Sequence, residues 1–226
     1  MTQKRSFGEE EYYHVFNRGF QKSTLFRDDS DRKRFLFYIL HYQSSYPLTN
    51  IQRYVTEYDP VAGFPVPEVI LKEIITSRAV DLVSFCLMSN HFHLIVKERL
   101  PGGISLYMQR VGTAYTRYFN TRYDLSGHVF EDRYKAKHIS DNNYLLYLSA
   151  YIHRNPSEIA SWQGKEFDYP CSSLQDFTEG NRWGGLLQSD IIADQFNTTS
   201  DSNYKDFIKT STAKVIKEEL ENLPEF

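Results

Sequence analysis

Cysteine is nearly missing from this 226-residue sequence. Cys86 and Cys171 stand far apart and no Cys-x-x-Cys occurs. A disulfide framework and a thiolate zinc site are thereby excluded, and the usage suits a reducing compartment. No apolar run approaches the roughly 20 residues that a membrane helix needs. The opening MTQKRSFGEE lacks the apolar stretch of a secretory signal, so the expectation is a cytoplasmic protein with no membrane attachment. There is no Gly-x-x-x-x-Gly-Lys-Ser/Thr loop to hold a nucleoside triphosphate. Internal repeats and low-complexity tracts are missing too. The formal charge of −3 leaves no overall basic excess, which argues against a uniformly basic nucleic-acid binder.

Aromatic residues, by contrast, are abundant: 17 Tyr and 16 Phe, enough to fill a core and still leave rings to stack on unpaired bases. Charge is also unevenly placed. Between residues 110 and 138 lie Arg110, Arg117, Arg122, Arg133, Lys135 and Lys137, against Asp124, Glu131 and Asp132. Residues 218–226 hold four glutamates and no base. A near-neutral total therefore hides a local basic face.

Residues 11–18 (EYYHVFNR) read as a first strand, ending at the turn signal Asn17-Arg18-Gly19. Residues 29–46 start with Asp and Ser caps and carry Phe35, Leu36, Ile39 and Leu40 at helical spacing. A proline-rich, loop-like insertion at 47–67 precedes a short helix at 69–76. Residues 79–88 and 91–97 are strand-like and separated only by Ser89-Asn90, which predicts a tight antiparallel hairpin. A helix over 104–123, a strand over 133–139 and a helix over 142–154, stopped by Pro156, complete the pattern. The order β, α, β, β, α, β, α predicts an α+β domain with one antiparallel sheet packed against helices. Residues 1–180 form its expected extent. Residues 181–226 read as a polar, partly helical extension, with a linker at 197–203.

Three clusters carry chemistry. His91 and His93 sit two apart on a predicted strand and so project from one face. Two imidazoles there can offer nitrogens to one divalent metal while Phe92 turns into the core. Tyr151 and Asn155 are four apart at the end of a predicted helix and share a face, so a phenol and an amide oxygen could meet the His pair together, as nucleophile and third metal ligand. The third cluster is the aromatic-laced basic run from Tyr115 through Lys137, in which guanidinium forks suit phosphates and rings suit bases.

Together these segments resemble the HUH single-tyrosine transposases, most of all the branch associated with repetitive extragenic palindromes. The strings that carry the likeness are SFCLMSNHFHLIVK (84–97), Tyr115 to Asn120, Ser126-Gly127-His128-Val129-Phe130 with Arg133-Tyr134-Lys135, and Tyr151 to Pro156. Asn17-Arg18-Gly19 with Leu25-Phe26-Arg27-Asp28 resembles the start of that family's domain. The resemblance spans roughly residues 10 to 175. It implies a ferredoxin-like sheet with His91 and His93 on a central strand, binding Mg²⁺ or Mn²⁺. It also implies Tyr151 as the nucleophile that cuts single-stranded or hairpin DNA through a 5′-phosphotyrosine, and possible homodimers. Asn155 stands where mobile members often carry glutamine, one methylene longer. Arg18, Arg110, Arg117, Arg122, Arg133, Lys135 and Lys137 are the phosphate-contact candidates.

Three other readings compete. Tyr115 and Tyr118 are rival nucleophiles. A non-catalytic RNA-recognition-like module would use exposed sheet aromatics, although the glycine-aromatic strand signature of such modules is missing. A water-using phosphoesterase would need acidic ligands beside the His pair, and Asp81 and Glu98 are poorly spaced for that. A domesticated transposase that binds its DNA without moving it is a matter of status, not of class.

Overall fold

The computed structural model describes residues 6–196 and 203–220. Its elements are β1 (Tyr12–Arg18), α1 (Asp29–His41), α2 (Ile51–Thr56), α3 (Glu68–Thr76), β2 (Val80–Leu87), β3 (His91–Glu98), α4 (Gly103–Tyr123), β4 (Lys135–Ile139) and α5 (Asn142–Arg154). The short helices α6 (Leu174–Thr178), α7 (Asp190–Ala193), α8 (Tyr204–Thr210) and α9 (Ala213–Glu219) follow. Four strands form one sheet in the order β2-β3-β1-β4, with every neighbouring pair antiparallel. The element order predicts this α+β fold with one antiparallel sheet, and the β-α-β-β-α-β arrangement is the ferredoxin-like one that the resemblance implies.

Local chemistry fixes the ends of the elements. The Asp28 carboxylate accepts from the Asp31 backbone N–H at the start of α1, and Asp141 accepts from Tyr144 N–H at the start of α5. Met88 N–H donates to the His91 carbonyl, which closes the β2–β3 hairpin on Ser89-Asn90. Gly103 opens α4 where an added Cβ would lie 2.3 Å from the Ala79 carbonyl oxygen, so only glycine lets the helix come this close to the sheet. The Glu98 carboxylate beside it accepts from the N–H groups of Gly102, Gly103 and Ile104. That satisfies donors a helix start leaves open and places a negative charge at its positive end.

The sheet is covered on both faces, which is why β2 is buried along its whole length and shows no polar alternation. One face, with Tyr13, Val15, Phe92, Leu94 and Val96, packs on α1 and α4 through Phe35, Ile39, Tyr107, Val111 and Tyr115. The other, with Val83, Cys86 and Ile95, packs on α5 through Leu145, Leu148 and Ile152. An irregularity between Leu82 and Ser84 lets β2 serve both layers.

Three elements differ from expectation. The helix read over 29–46 ends at His41. The insertion at 47–67 contains α2, too short for its period to register in the sequence and held by Tyr54 and Val55 packing into the core. The segment beyond residue 180, read as a polar extension, gives Trp183, Leu186 and Leu187 to the first layer, and Ile192, Tyr204, Ile208, Ile216 and Leu220 to the second. Its end folds as two short helices, and residues 197–202 of the expected linker lie outside the described residues.

Candidate active site

Strand register determines which side chains meet. In β1–β3, Arg18 lies opposite His91 and Phe16 opposite His93, and in β1–β4, Phe16 lies opposite Lys135 and His14 opposite Lys137. Directly paired residues of an antiparallel ladder project from the same face. His14, Phe16, Arg18, His91, His93, Lys135 and Lys137 therefore share the face that α5 covers.

α5 brings Tyr151 edge-on against His93, with ring centroids 5.4 Å apart and an interplanar angle of 84°. The His91 and His93 rings are 5.1 Å apart and nearly perpendicular. Asn155 follows one turn later, where Pro156 ends the regular helix. Its Nδ2 donates to the Tyr151 carbonyl at 2.8 Å, which fixes the amide and turns Oδ1 toward His91 Nε2 at 3.5 Å. His91 Nδ1 lies 2.8 Å from Asn90 Oδ1. The shorter contact assigns the imidazole proton to Nδ1, so a lone pair on Nε2 faces the lone pairs of Asn155 Oδ1. With the proton on Nδ1, Nε2 and Oδ1 could both donate lone pairs to one cation between them. The donor set thus fits a divalent ion. It holds no carboxylate, and among the described residues no group of three or more His, Cys, Asp or Glu side chains could hold a metal. His91, His93 and Asn155 would leave the remaining positions to water and phosphate oxygens.

Burial decides the protonation states. It pushes the His91 imidazole down to about 4, against the Asn155 contact, which raises it. Burial, with His14 and His91 alongside, pushes His93 well below its ordinary value. Both rings are neutral at pH 7, the form that binds metal. Burial also pushes the Tyr151 phenol up to about 12, with Glu158 adding to the rise and Asn155 opposing it.

The other candidates separate into two groups. Arg18 pairs with Glu131 at the end of β1, Lys137 lies over the Tyr144 ring at 5.1 Å, and Arg133 and Lys135 are exposed. Arg110, Arg117 and Arg122 lie on α4, across the sheet. There Arg110 donates to the carbonyls of Tyr42 and Tyr46, and Arg122 binds Asp28 and Asp31. Arg117 faces a groove of about 900 Å³ between α1, α2 and α4. Tyr115 is fully buried on that side and donates to the Leu25 carbonyl at 2.5 Å, while Tyr118 donates to Asp31 at 3.0 Å. The structure does not bring these α4 residues to the His pair. Asp81 pairs with Arg78 and Arg99, and Glu98 is committed to α4, so neither carboxylate reaches the histidines.

Sequence reasoning missed His14. Its Nε2 lies 2.8 Å from His93 Nδ1, the rings stack at 20°, and both side chains are wholly buried. The alternation of β1 marks it: Tyr13 and Val15 face the first core, so His14 must face the other side.

Residues 65–155 match the family model described as transposase, IS200 like, a span that ends at Asn155. No curated protein matches the chain. The fold is similar to a solved structure of a REP-associated tyrosine transposase bound to a REP hairpin, with a TM-score of 0.53 and 12% identity over 79% of this chain and 86% of that one. At that identity the likeness is one of fold alone. Among the described residues no helix is long and apolar enough to cross a membrane.

Proposed function

With the match of residues 65–155 to the IS200-like transposases as premise, we propose that this chain cleaves and rejoins single-stranded or hairpin DNA through a covalent tyrosine intermediate. The observation that carries the proposal is the approach of Tyr151 to His93, on the same face as the His91–Asn155 contact. His91, His93 and Asn155 would hold Mg²⁺ or Mn²⁺, which when bound supplies charge to polarise the scissile phosphate and orient it.

The chain's own residues do the rest. Tyr151 must lose its proton, because a phenol pushed up to about 12 is a poor nucleophile at neutral pH. Its oxygen then bonds to phosphorus, the bond to the 3′ oxygen breaks, and that oxygen leaves as a hydroxyl. The product is a 5′-phosphotyrosine. The ester keeps the energy of the broken bond, so another strand's 3′-hydroxyl can reverse the step without ATP. Arg18, Lys135 and Lys137 border the same face and are suited to grip the backbone on either side. Tyr151 acts on the His pair of its own chain, whose rings it already meets.

A water-using phosphoesterase is less well supported, because its natural acidic ligands are bound elsewhere. The test is to incubate protein with labelled hairpin oligonucleotides, with and without Mn²⁺, followed by denaturing electrophoresis. Wild type should give a Mn²⁺-dependent, denaturation-resistant adduct and Tyr151→Phe none. An adduct that persists in Tyr151→Phe overturns the assignment of the nucleophile.

A further inference from the structure

The contact between His14 and His93 is costly as pure packing. In a neutral imidazole one ring nitrogen carries hydrogen and the other a lone pair. The 2.8 Å contact uses His14 Nε2, and Nδ1 of the same ring is buried without a hydrogen-bond partner. Apolar rings at both positions, 14 and 93, would fill this space beside Phe16 with no orphaned nitrogen. A buried polar atom left in that state lowers stability, so the pair calls for a reason other than cohesion.

His93 provides one. A ring whose Nδ1 carries the proton must present its lone pair on Nε2, and the reverse tautomer has no lone pair there for a metal. Which tautomer prevails depends on what Nδ1 touches. In metal sites the non-ligating nitrogen is commonly held by a carboxylate, a carbonyl or a water. Here the group that reaches His93 Nδ1 is the imidazole of a neighbouring strand.

We infer that His14 is a positioning residue that accepts the Nδ1 proton of His93 and holds that ring in the tautomer able to ligate a metal. The inference rests on the metal-binding reading of His91, His93 and Asn155, but the hydrogen bond itself can be tested without metal. His14 touches neither substrate nor ion and acts only through His93. The pair is rigid: β1 and β3 are hydrogen-bonded through this stretch, and the two rings stack at 20° with centroids 5.1 Å apart.

Two measurements decide it. In metal-free wild type, long-range ¹H–¹⁵N correlation spectra should find the His93 proton on Nδ1. A proton on Nε2 overturns the inference, whatever the protein binds. Mn²⁺ affinity, read by electron paramagnetic resonance, should fall about 10- to 100-fold in His14→Phe. In His14→Gln, whose side-chain oxygen can take the place of the accepting nitrogen, the loss should stay within a few-fold. His14→Phe removes the orphaned Nδ1 of residue 14 and strands the Nδ1–H of His93, so the two effects offset and its melting point should stay close to wild type. Equal affinity in all three proteins, or equal losses in Phe and Gln, overturns the role assigned to His14. Should wild type bind no Mn²⁺, the metal reading fails and the spectra still decide the hydrogen bond.

Discussion

Two buried polar clusters, one on each face of the sheet, are matched in different ways. Between α1 and α4, Asp31 is wholly buried and accepts from Arg27 N–H, from the hydroxyls of Tyr118 and Tyr123, and from Arg122. Donors and acceptors match, so that network behaves as structure. Under α5, His91 Nε2 faces Asn155 Oδ1 and a nitrogen of His14 is orphaned. A buried nitrogen left unmatched beside a pair of candidate ligands marks a place shaped for something other than cohesion. Tyrosine illustrates the same contrast, because Tyr115 has its hydrogen bond and Tyr151 has its histidines.

The sharpest way to break this contrast is to swap the tyrosines. Tyr151→Phe should lower adduct formation at least ~10³-fold and leave the melting curve close to wild type. Tyr115→Phe should keep the adduct and lose about 1–3 kcal/mol of stability, because the Leu25 carbonyl loses its donor. Denaturant titration beside the adduct assay checks both, and the reverse pattern would assign the chemistry to the α4 face. Next in size, Asp31→Ala should cost about 3 kcal/mol by stranding buried partners, with unchanged adduct yield per folded molecule.

Acid should weaken both layers. His14, His41, His91, His93 and His153 are buried, with pKa values pushed below the ordinary 6.5 by burial, to about 3 for His14 and His153 and about 4 for His41 and His91. Below 6.5 the unfolded chain takes up protons that the folded chain refuses, so stability falls as pH drops from about 6.5 toward 4. Each such ring contributes about 1.4 kcal/mol per pH unit inside that window. Thermal melts at pH 7, 6 and 5 should descend steeply, and a flat profile would mean that these rings are hydrated. The smallest effect is expected at the edge strand. Lys135→Ala and Lys137→Ala should each weaken DNA binding a few-fold and lower the salt slope by about 1, whereas Arg110→Ala should leave the slope unchanged.

Much of this contrast was legible in the residues. The period of two across His91-Phe92-His93 predicts one ring for the core and two for the other face, as found. The spacing of four from Tyr151 to Asn155, with Pro156 beyond, predicts the helix end that holds both. What stayed hidden depends on register. Arg110, Arg117 and Arg122 look as suited to phosphate as Lys135 and Lys137, and only the fold puts their helix on the far side of the sheet. His14 lies 79 positions from its partner, and no local pattern joins them. The apolar residues beyond 180 are too sparse to form a period, so their place in both cores emerges only in three dimensions.

One consequence follows from the helix that carries Tyr151. His153 on that helix bonds the Tyr204 hydroxyl at 2.7 Å and the Ser173 hydroxyl at 2.8 Å, while Arg154 donates to the Ile208 carbonyl and Asn143 to Glu219. Residues 204–219 are thus fastened to α5. Any tilt that carries the phenol toward or away from a substrate must drag this clasp with it. The reach of the tyrosine is set as much by residues 204–219 as by the strand it faces.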